Sequence, residues 1–223
     1  MGKDKIKRFE ENDTFSHLFQ RSFEQLEGGF HLKGKWHQEY FKNNNPIILE
    51  LGCGKGEYTI GLAQRYPDRN FIGVDIKGSR MWRGCKQVKE LGLANVAFIR
   101  TRISLIEFFF AENEVSEIWL TFSDPHLRGA HSRKRLSSPQ FLARYSKFIK
   151  DDNLIHLKTD DPTLFEFTLR VIEEGGHKMG FVSDDVYQKG APTEVVEIQT
   201  FYEQMWIEEG RTIRYLNFIM KKT

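Results

Sequence analysis

The chain has 223 residues, of which 39% are hydrophobic and 29% charged, with a formal net charge of +2. That length supports a single α/β domain with a substantial core, and that composition excludes wholesale disorder. No run approaches the roughly 20 apolar residues of a membrane span, and the charged stretch Met1 to Glu11 has no apolar segment behind it, so the reading is a cytoplasmic protein without membrane contact.

Residues 1 to 45 read as an N-terminal extension, with turn signals at Gly28-Gly29 and Asn43-Asn44-Asn45-Pro46. From 46 to 223 the pattern predicts one domain in which strands and helices alternate. Strands are predicted at Ile47 to Leu51, Asn70 to Asp75, Asn95 to Arg100, Glu117 to Phe122, Asn153 to Lys158, His177 to Val182 and Ile213 to Met220, from their apolar, β-branched and aromatic content. Helices are predicted at Glu57 to Tyr66, Ser79 to Leu91, Leu105 to Phe110, Pro139 to Phe148 and Thr163 to Glu174. Asp161-Pro162 is a start signal for the last of these and Gly175-Gly176 a stop signal. Such alternation predicts a doubly wound sheet that takes ligands outside the carboxyl ends of its strands.

The first strand of the domain runs into Gly52-Cys53-Gly54-Lys55-Gly56, a turn in which glycines let backbone approach a ligand. The spacing is too short for a GxxxxGK[ST] phosphate loop, which disfavours nucleoside triphosphates. Asp75 closes the next strand about 20 residues on, where a carboxylate meets ribose hydroxyls. Glu50, two residues before Gly52, would repel a pyrophosphate and suits a cationic sulfonium, so S-adenosylmethionine is favoured over NAD. The plain alternative for Glu50 is a buried, hydrogen-bonded structural acid.

The fourth strand ends at Ser123-Asp124-Pro125-His126, placing Asp124 at the ligand edge, although an Asp-Pro pair is also a common turn. Arg128, Arg133, Lys134 and Arg135 follow within eight residues and suit phosphate contacts. Lys5, Lys7 and Arg8 form a second basic group, whereas Lys77, Arg80, Arg83, Lys86 and Lys89 read as a solvated helix face. Cys53 and Cys85 make no CxxC pair, and the seven histidines show no HxxxH or HExxH spacing, so neither a disulfide framework nor a metal site is expected. Trp36 and Phe108-Phe109-Phe110 read as packing.

In order, Gly34-Lys35-Trp36, Leu49 to Gly56, Asp124-Pro125 with His131, Arg133, Lys134, Arg135 and Leu136, Leu157-Lys158-Thr159-Asp160, and Thr200-Phe201-Tyr202-Glu203 resemble the bacterial tRNA (guanine-N7)-methyltransferase family over nearly the whole chain. The resemblance implies a Rossmann-like class I methyltransferase fold, a seven-stranded mostly parallel sheet with helices on both faces. It implies S-adenosylmethionine as methyl donor and tRNA as partner, with guanine N7 at position 46 of the variable loop as acceptor. It assigns Glu50, Gly52, Gly54, Gly56, Asp75, Arg102 and Asp124 to the donor, with Asp124 at the active centre. Arg128, Asp160, Thr200, Phe201, Tyr202 and Glu203 fall to the target guanosine, and Arg133, Lys134 and Arg135 to the RNA.

The chain departs from the family pattern at three places. Ser123 and His126 replace the proline and tryptophan around Asp124-Pro125, Arg102 stands where an acidic or amide residue is common at the adenine contact, and Gly129-Ala130 thin the charge beside Arg128. Asp124, Asp160 and Glu203 are expected to frame the base, because guanine's N1-H and N2-H groups call for acceptors. Methyl transfer to another RNA or to a small molecule is the alternative, an NAD oxidoreductase and a non-catalytic RNA-binding module stand further off, and monomer and homodimer both remain open.

Overall fold

The computed structural model describes residues 3–21 and 23–222, and the chain divides into two compact units, Met1–Ala111 and Glu112–Thr223.

In the first unit the elements are α1 (Lys3–Asn12), β1 (Leu18–Gln20), α2 (Phe23–Leu26), a π-helical stretch (Trp36–Phe41), β2 (Ile47–Leu51), α3 (Glu57–Arg65), β3 (Asn70–Asp75), α4 (Gly78–Leu91), β4 (Val96–Arg100) and a 3-10 segment (Ile103–Phe108). Its four strands lie in the order β1-β4-β3-β2, and every pairing is parallel. All five residues of β2 are buried, as a continuous apolar run in a parallel sheet requires.

Asn43, Asn45 and Asn70 fasten the start of this sheet. The Asn70 side-chain amide donates to Asn43 Oδ1 (2.7 Å) and to the Asn45 carbonyl (3.1 Å), and Asn45 N–H donates to Asn43 Oδ1 (3.0 Å). The asparagine run is thus a clip between β2 and β3.

The N-terminal stretch belongs to this unit's core. β1 pairs with β4, Leu18 opposite Phe98 and Gln20 opposite Arg100, giving one strand more than the sequence predicts. Trp36 is fully buried and donates from Nε1 to the Phe109 carbonyl (3.0 Å), within a cluster of aromatic rings that includes Phe19, Phe30, Tyr40 and Phe110.

In the second unit the elements are β5 (Val115–Thr121), a 3-10 segment (Gly129–Lys134), α5 (Pro139–Tyr145), β6 (Ile149–Thr159), α6 (Pro162–Glu174), β7 (Lys178–Ser183), α7 (Thr193–Glu197), α8 (Phe201–Glu208) and β8 (Arg214–Ile219). The strand order is β5-β6-β8-β7; β5 and β6 are parallel, and β8 runs antiparallel to both of its neighbours. Asp161 caps α6 by accepting from Leu164 N–H (2.7 Å), with Pro162 in the first turn.

A layer of stacked rings crosses three of these strands. His156 on β6 lies 3.8 Å from the Trp119 ring on β5 at an interplanar angle of 5°, and its Nδ1 is 2.7 Å from the Tyr215 hydroxyl on β8. Among the described residues no helix is long and apolar enough to cross a membrane.

α4 crosses the glycine turn at Gly84, where an added Cβ would lie 2.5 Å from the Lys55 carbonyl oxygen and 3.0 Å from the Phe98 ring. Backbone cannot yield there without moving the turn. Gly84→Ala should lower stability by about 1–3 kcal/mol, read as a reduced midpoint in urea unfolding with an unchanged slope.

Candidate active site

The turn after β2 is held by two carboxylates. Glu50 is only 4% exposed, and its Oε2 accepts from both the backbone N–H and the hydroxyl of Thr59 on α3. Asp75, at the end of β3, accepts from Gly54 N–H through Oδ2 (2.9 Å) and from Lys77 N–H through Oδ1 (2.8 Å). Each acid therefore joins the end of a strand to the backbone that follows, and Asp75 grips the turn itself.

The glycines divide their work. Gly54 has φ +56°, and a Cβ added there meets nothing within 4 Å, so this position keeps space above the turn. At Gly56, with φ +76°, a Cβ would come within 2.7 Å of the Phe98 ring, so its lack of a side chain serves interior packing. Spacing in the sequence assigns both to ligand room; packing separates them.

Cys53, inside the turn, is buried, and desolvation reinforced by Glu50 pushes its thiol well above the ordinary range, leaving it neutral. Arg102 is exposed just beyond β4, immediately before the 3-10 segment.

In the second unit Asp124 sits on a strained loop. Phe122 (φ 50°) and His126 (φ 43°) both adopt left-handed backbone without being glycine, and Asp124 Oδ1 accepts from His126 N–H (2.9 Å). The Asp124 side chain is 72% exposed, so its carboxylate is presented to solvent. Beside it, Ser123 Oγ is buried with no hydrogen-bond partner among the described residues. Such a buried hydroxyl is uncommon in a finished core and suits a site that takes a polar ligand.

The basic segment separates into two kinds of residue. Arg128, Arg133 and Lys134 are exposed. Arg135, expected to contact RNA, is only 5% exposed; its Nε donates to the Pro125 carbonyl (2.7 Å), its Nη2 to the His126 carbonyl (3.4 Å), and its guanidinium lies 4.4 Å over the Phe167 ring. Arg135 therefore supports the Asp124 loop from behind, because a planar cation with several donors can serve two carbonyls and a ring at once. Lys5, the first member of the N-terminal basic group, has a side chain outside the described residues.

Glu203 is a second correction. Expected to frame the guanine, it is fully buried, and its carboxylate accepts from Lys158 Nζ (2.7 and 2.8 Å) and from the Tyr187 hydroxyl (2.8 Å). It also closes a capping box at the start of α8: Thr200 Oγ1 accepts from Glu203 N–H (3.1 Å), and Glu203 Oε2 accepts from Thr200 N–H (3.3 Å). Lys158 Nζ donates as well to the carbonyls of Val195 (2.5 Å) and Ile198 (3.0 Å). Burial lowers the Lys158 pKa and raises that of Glu203, while their mutual attraction opposes both shifts.

The pair ties β6 to the segment before α8 and leaves Phe201 and Tyr202 at the surface, 48% and 37% exposed. Lys158 has no role in the sequence beyond its place in Leu157-Lys158-Thr159-Asp160, because a lysine at the end of an apolar strand carries no signal of a partner 45 residues away. Asp160 is placed at the edge of this group, its Oδ2 accepting from Arg211 Nη1 (3.0 Å).

A parallel sheet in which β2 opens into a carboxylate-gripped glycine turn, with an acid ending β3, is the arrangement of an S-adenosylmethionine-dependent methyltransferase of class I. The residues fit such a donor: Gly54 leaves open space, and Asp75 offers acceptor capacity beside it. The fold is similar to the crystal structure of the 16S rRNA methyltransferase KamB (TM-score 0.63, 16% identity, 82% of this chain and 92% of that one).

Residues 44–216 match the family described as "Putative methyltransferase". The chain is 50% identical over 221 residues to a tRNA (guanine-N(7)-)-methyltransferase of Christiangramia forsetii, covering 98% of this chain and 99% of that protein. It is 48% identical over 221 residues to the enzyme of the same description from Bacteroides fragilis, covering 99% and 87%. The chain belongs to the tRNA (guanine-N7)-methyltransferase family.

Removing one member of the buried pair strands the other. Lys158→Met should cost about 3–5 kcal/mol, Glu203→Leu a similar amount, and the double variant clearly less than their sum. Additive losses in chemical denaturation would show that the two charges do not act as a pair.

Proposed function

We propose that this protein transfers a methyl group from S-adenosylmethionine to N7 of guanine in tRNA, at position 46 of the variable loop, in the cytoplasm. The observation that carries the reading is the exposed Asp124 carboxylate on a strained loop braced by Arg135, in a chain half identical to enzymes described by that activity.

Bound S-adenosylmethionine supplies an electrophilic methyl group. Gly52, Gly54 and Asp75 hold the donor, while Gly56, packed against Phe98, and Glu50 keep the turn in shape for it. Guanine N7 has a free lone pair and no proton, so no strong general base is required. The protein's task is to orient the base and to favour the positive charge that develops on it.

Asp124 and Asp160 are the carboxylates offered to the guanine edge, since Glu203 is enclosed with Lys158 and Tyr187. Both are acceptor-only when ionised, which matches N1-H and N2-H and mismatches adenine. Thr200, Phe201 and Tyr202 form the segment that meets the target nucleoside, fixed by the capping box beneath it. Arg128, Arg133 and Lys134 contact phosphates.

Incubation with unmodified tRNA and S-adenosylmethionine, followed by nucleoside mass spectrometry, should yield 7-methylguanosine with wild type. Asp124→Ala should lower the yield by about 100-fold or more while leaving the thermal unfolding curve in place. Product at the wild-type rate from Asp124→Ala would overturn the assignment of Asp124. Arg133→Ala with Lys134→Ala should flatten the slope of log K against log salt by roughly 0.7–0.9 for each phosphate that is no longer neutralised. An unchanged slope would place the RNA elsewhere.

A further inference from the structure

β6 delivers Asp160 just past its end, where the Asp160 carbonyl accepts from Arg214 Nη1 (3.1 Å). α8 delivers the partner of its carboxylate. The helix closes on Gly210 (φ +76°), with Gly210 N–H donating to the Ile207 carbonyl (2.9 Å) and Arg211 N–H to the Trp206 carbonyl (2.8 Å). These are the paired bonds of a Schellman turn, and they fix the backbone of Arg211.

Two carboxylates then hold its guanidinium. Asp160 Oδ2 accepts from Nη1 (3.0 Å), while Glu209 Oε2 accepts from Nε (3.0 Å) and lies 2.9 Å from Nη2. These contacts leave one N–H on Nη1, one on Nη2 and the whole of Asp160 Oδ1 without a partner among the described residues. The Asp160 side chain is 15% exposed and that of Arg211 50%, so the pair opens to solvent.

An exposed ion pair adds little to stability, which leaves the care taken over this one to be explained. Its surroundings are those of the acceptor site. The guanidinium lies 5.7 Å from the centroid of the Trp206 ring, and that ring stacks on Tyr202 at 5.9 Å and 28°.

From Asp160 to Arg211 the groups on offer run Oδ1, Oδ2, Nη1, which is acceptor, acceptor, donor. The pairing edge of guanine runs N2-H, N1-H, O6, which is the complement. Asp160 alone would answer two of these and leave O6 without a donor, and an unanswered carbonyl is costly once water is excluded. Adenine would turn an amine toward the guanidinium. Glu209 balances the guanidinium from the other side, so O6 gains a donor without net positive charge beside a purine that becomes cationic on methylation.

We infer that Arg211 is a specificity-determining residue for the methyl acceptor, donating from Nη1 to guanine O6 while Asp160 accepts from N1-H and N2-H. This rests on the reading of Asp160 as a carboxylate offered to the guanine edge.

The contacts can be read one at a time with tRNA carrying guanosine, 6-thioguanosine or inosine at the acceptor position, the 7-methyl product being measured at enzyme excess by nucleoside mass spectrometry. 6-Thioguanosine keeps both N–H donors and puts a weak acceptor in place of O6, whereas inosine keeps O6 and lacks the N2 amine. Differences in N7 reactivity among the bases are common to all variants, so each contact is read as a change of ratio between proteins. Arg211→Ala should lose about tenfold or more in kcat/KM on guanosine, and its preference for guanosine over 6-thioguanosine should be about tenfold smaller than that of wild type. For a variant too slow to follow, anisotropy with the same tRNAs and S-adenosylhomocysteine gives the ratio from binding.

A loss shared equally by guanosine and 6-thioguanosine would mean that Arg211 only holds Asp160 in place, and overturns the proposal. Asp160→Ala is the reference, and should erase the preference for guanosine over inosine. If it does so while Arg211→Ala keeps the wild-type ratio for 6-thioguanosine, the placement of Asp160 stands and the assignment of Arg211 falls. If Asp160→Ala keeps the preference over inosine, the placement of the guanine edge itself falls. Arg211 is half exposed, so the melt of Arg211→Ala should match that of wild type.

Discussion

The rest of the site depends on two acids that hold the glycine turn. A turn rich in glycine has many backbone conformations available and no reason of its own to keep one. Glu50 ties the end of β2 to the first turn of α3 through Thr59, and Asp75 ties the end of β3 to Gly54 and Lys77. With the strands paired in register, Leu51 opposite Val74, the two carboxylates freeze the loop that must come close to a methyl donor. A preorganised loop loses little conformational freedom on binding, and the same holds for its ligand contacts during catalysis. Glu50 thus acts as the buried, hydrogen-bonded structural acid that its position suggested.

A similar economy governs the second unit, where charges that look catalytic or RNA-binding in the sequence are given over to shape. Arg135 occupies two carbonyls of the Asp124 loop and a ring face, which holds Asp124 outward despite two left-handed residues around it. Lys158 and Glu203, enclosed together, join β6 to the start of α8 and so fix the surface that carries Phe201 and Tyr202. A buried ion pair is not in itself a strong source of stability, because desolvation offsets most of the attraction. Here the ammonium is met by the Val195 and Ile198 carbonyls together with the Glu203 carboxylate, so the segment from Val195 to Glu203 is gathered around one charge.

Much of the sheet was legible in the sequence because its strands are buried on both faces and read as continuous apolar runs. β2 and β3 fall on the expected residues, and α6 begins where Asp161-Pro162 signals it. β1 was not legible, since three residues give no periodicity and its partner Phe98 is 80 residues from Leu18. α8 was missed although Thr200 and Glu203 form a capping box, because the run behind it, with Phe201, Tyr202, Met205 and Trp206, lacks a clear apolar face and Phe201, Tyr202 and Met205 are exposed. Asp75 and the glycine turn lie at the strand ends where spacing puts them, and Asp124 follows the end of β5.

The sequence by itself determined the class of the protein. Local order, strand then glycines then helix then acid, is written in neighbouring residues, and the ordered motifs along the chain identify the family. Only the tertiary structure decided which charged groups are available. Whether Glu203, Arg135 or Asp124 faces solvent depends on partners far away in the chain: Lys158 for the first, the Pro125 carbonyl and Phe167 for the second, and a strained loop for the third. Burial and pairing are properties of packing, so charged residues that all look functional in the sequence can end exposed, as a brace or as a cap.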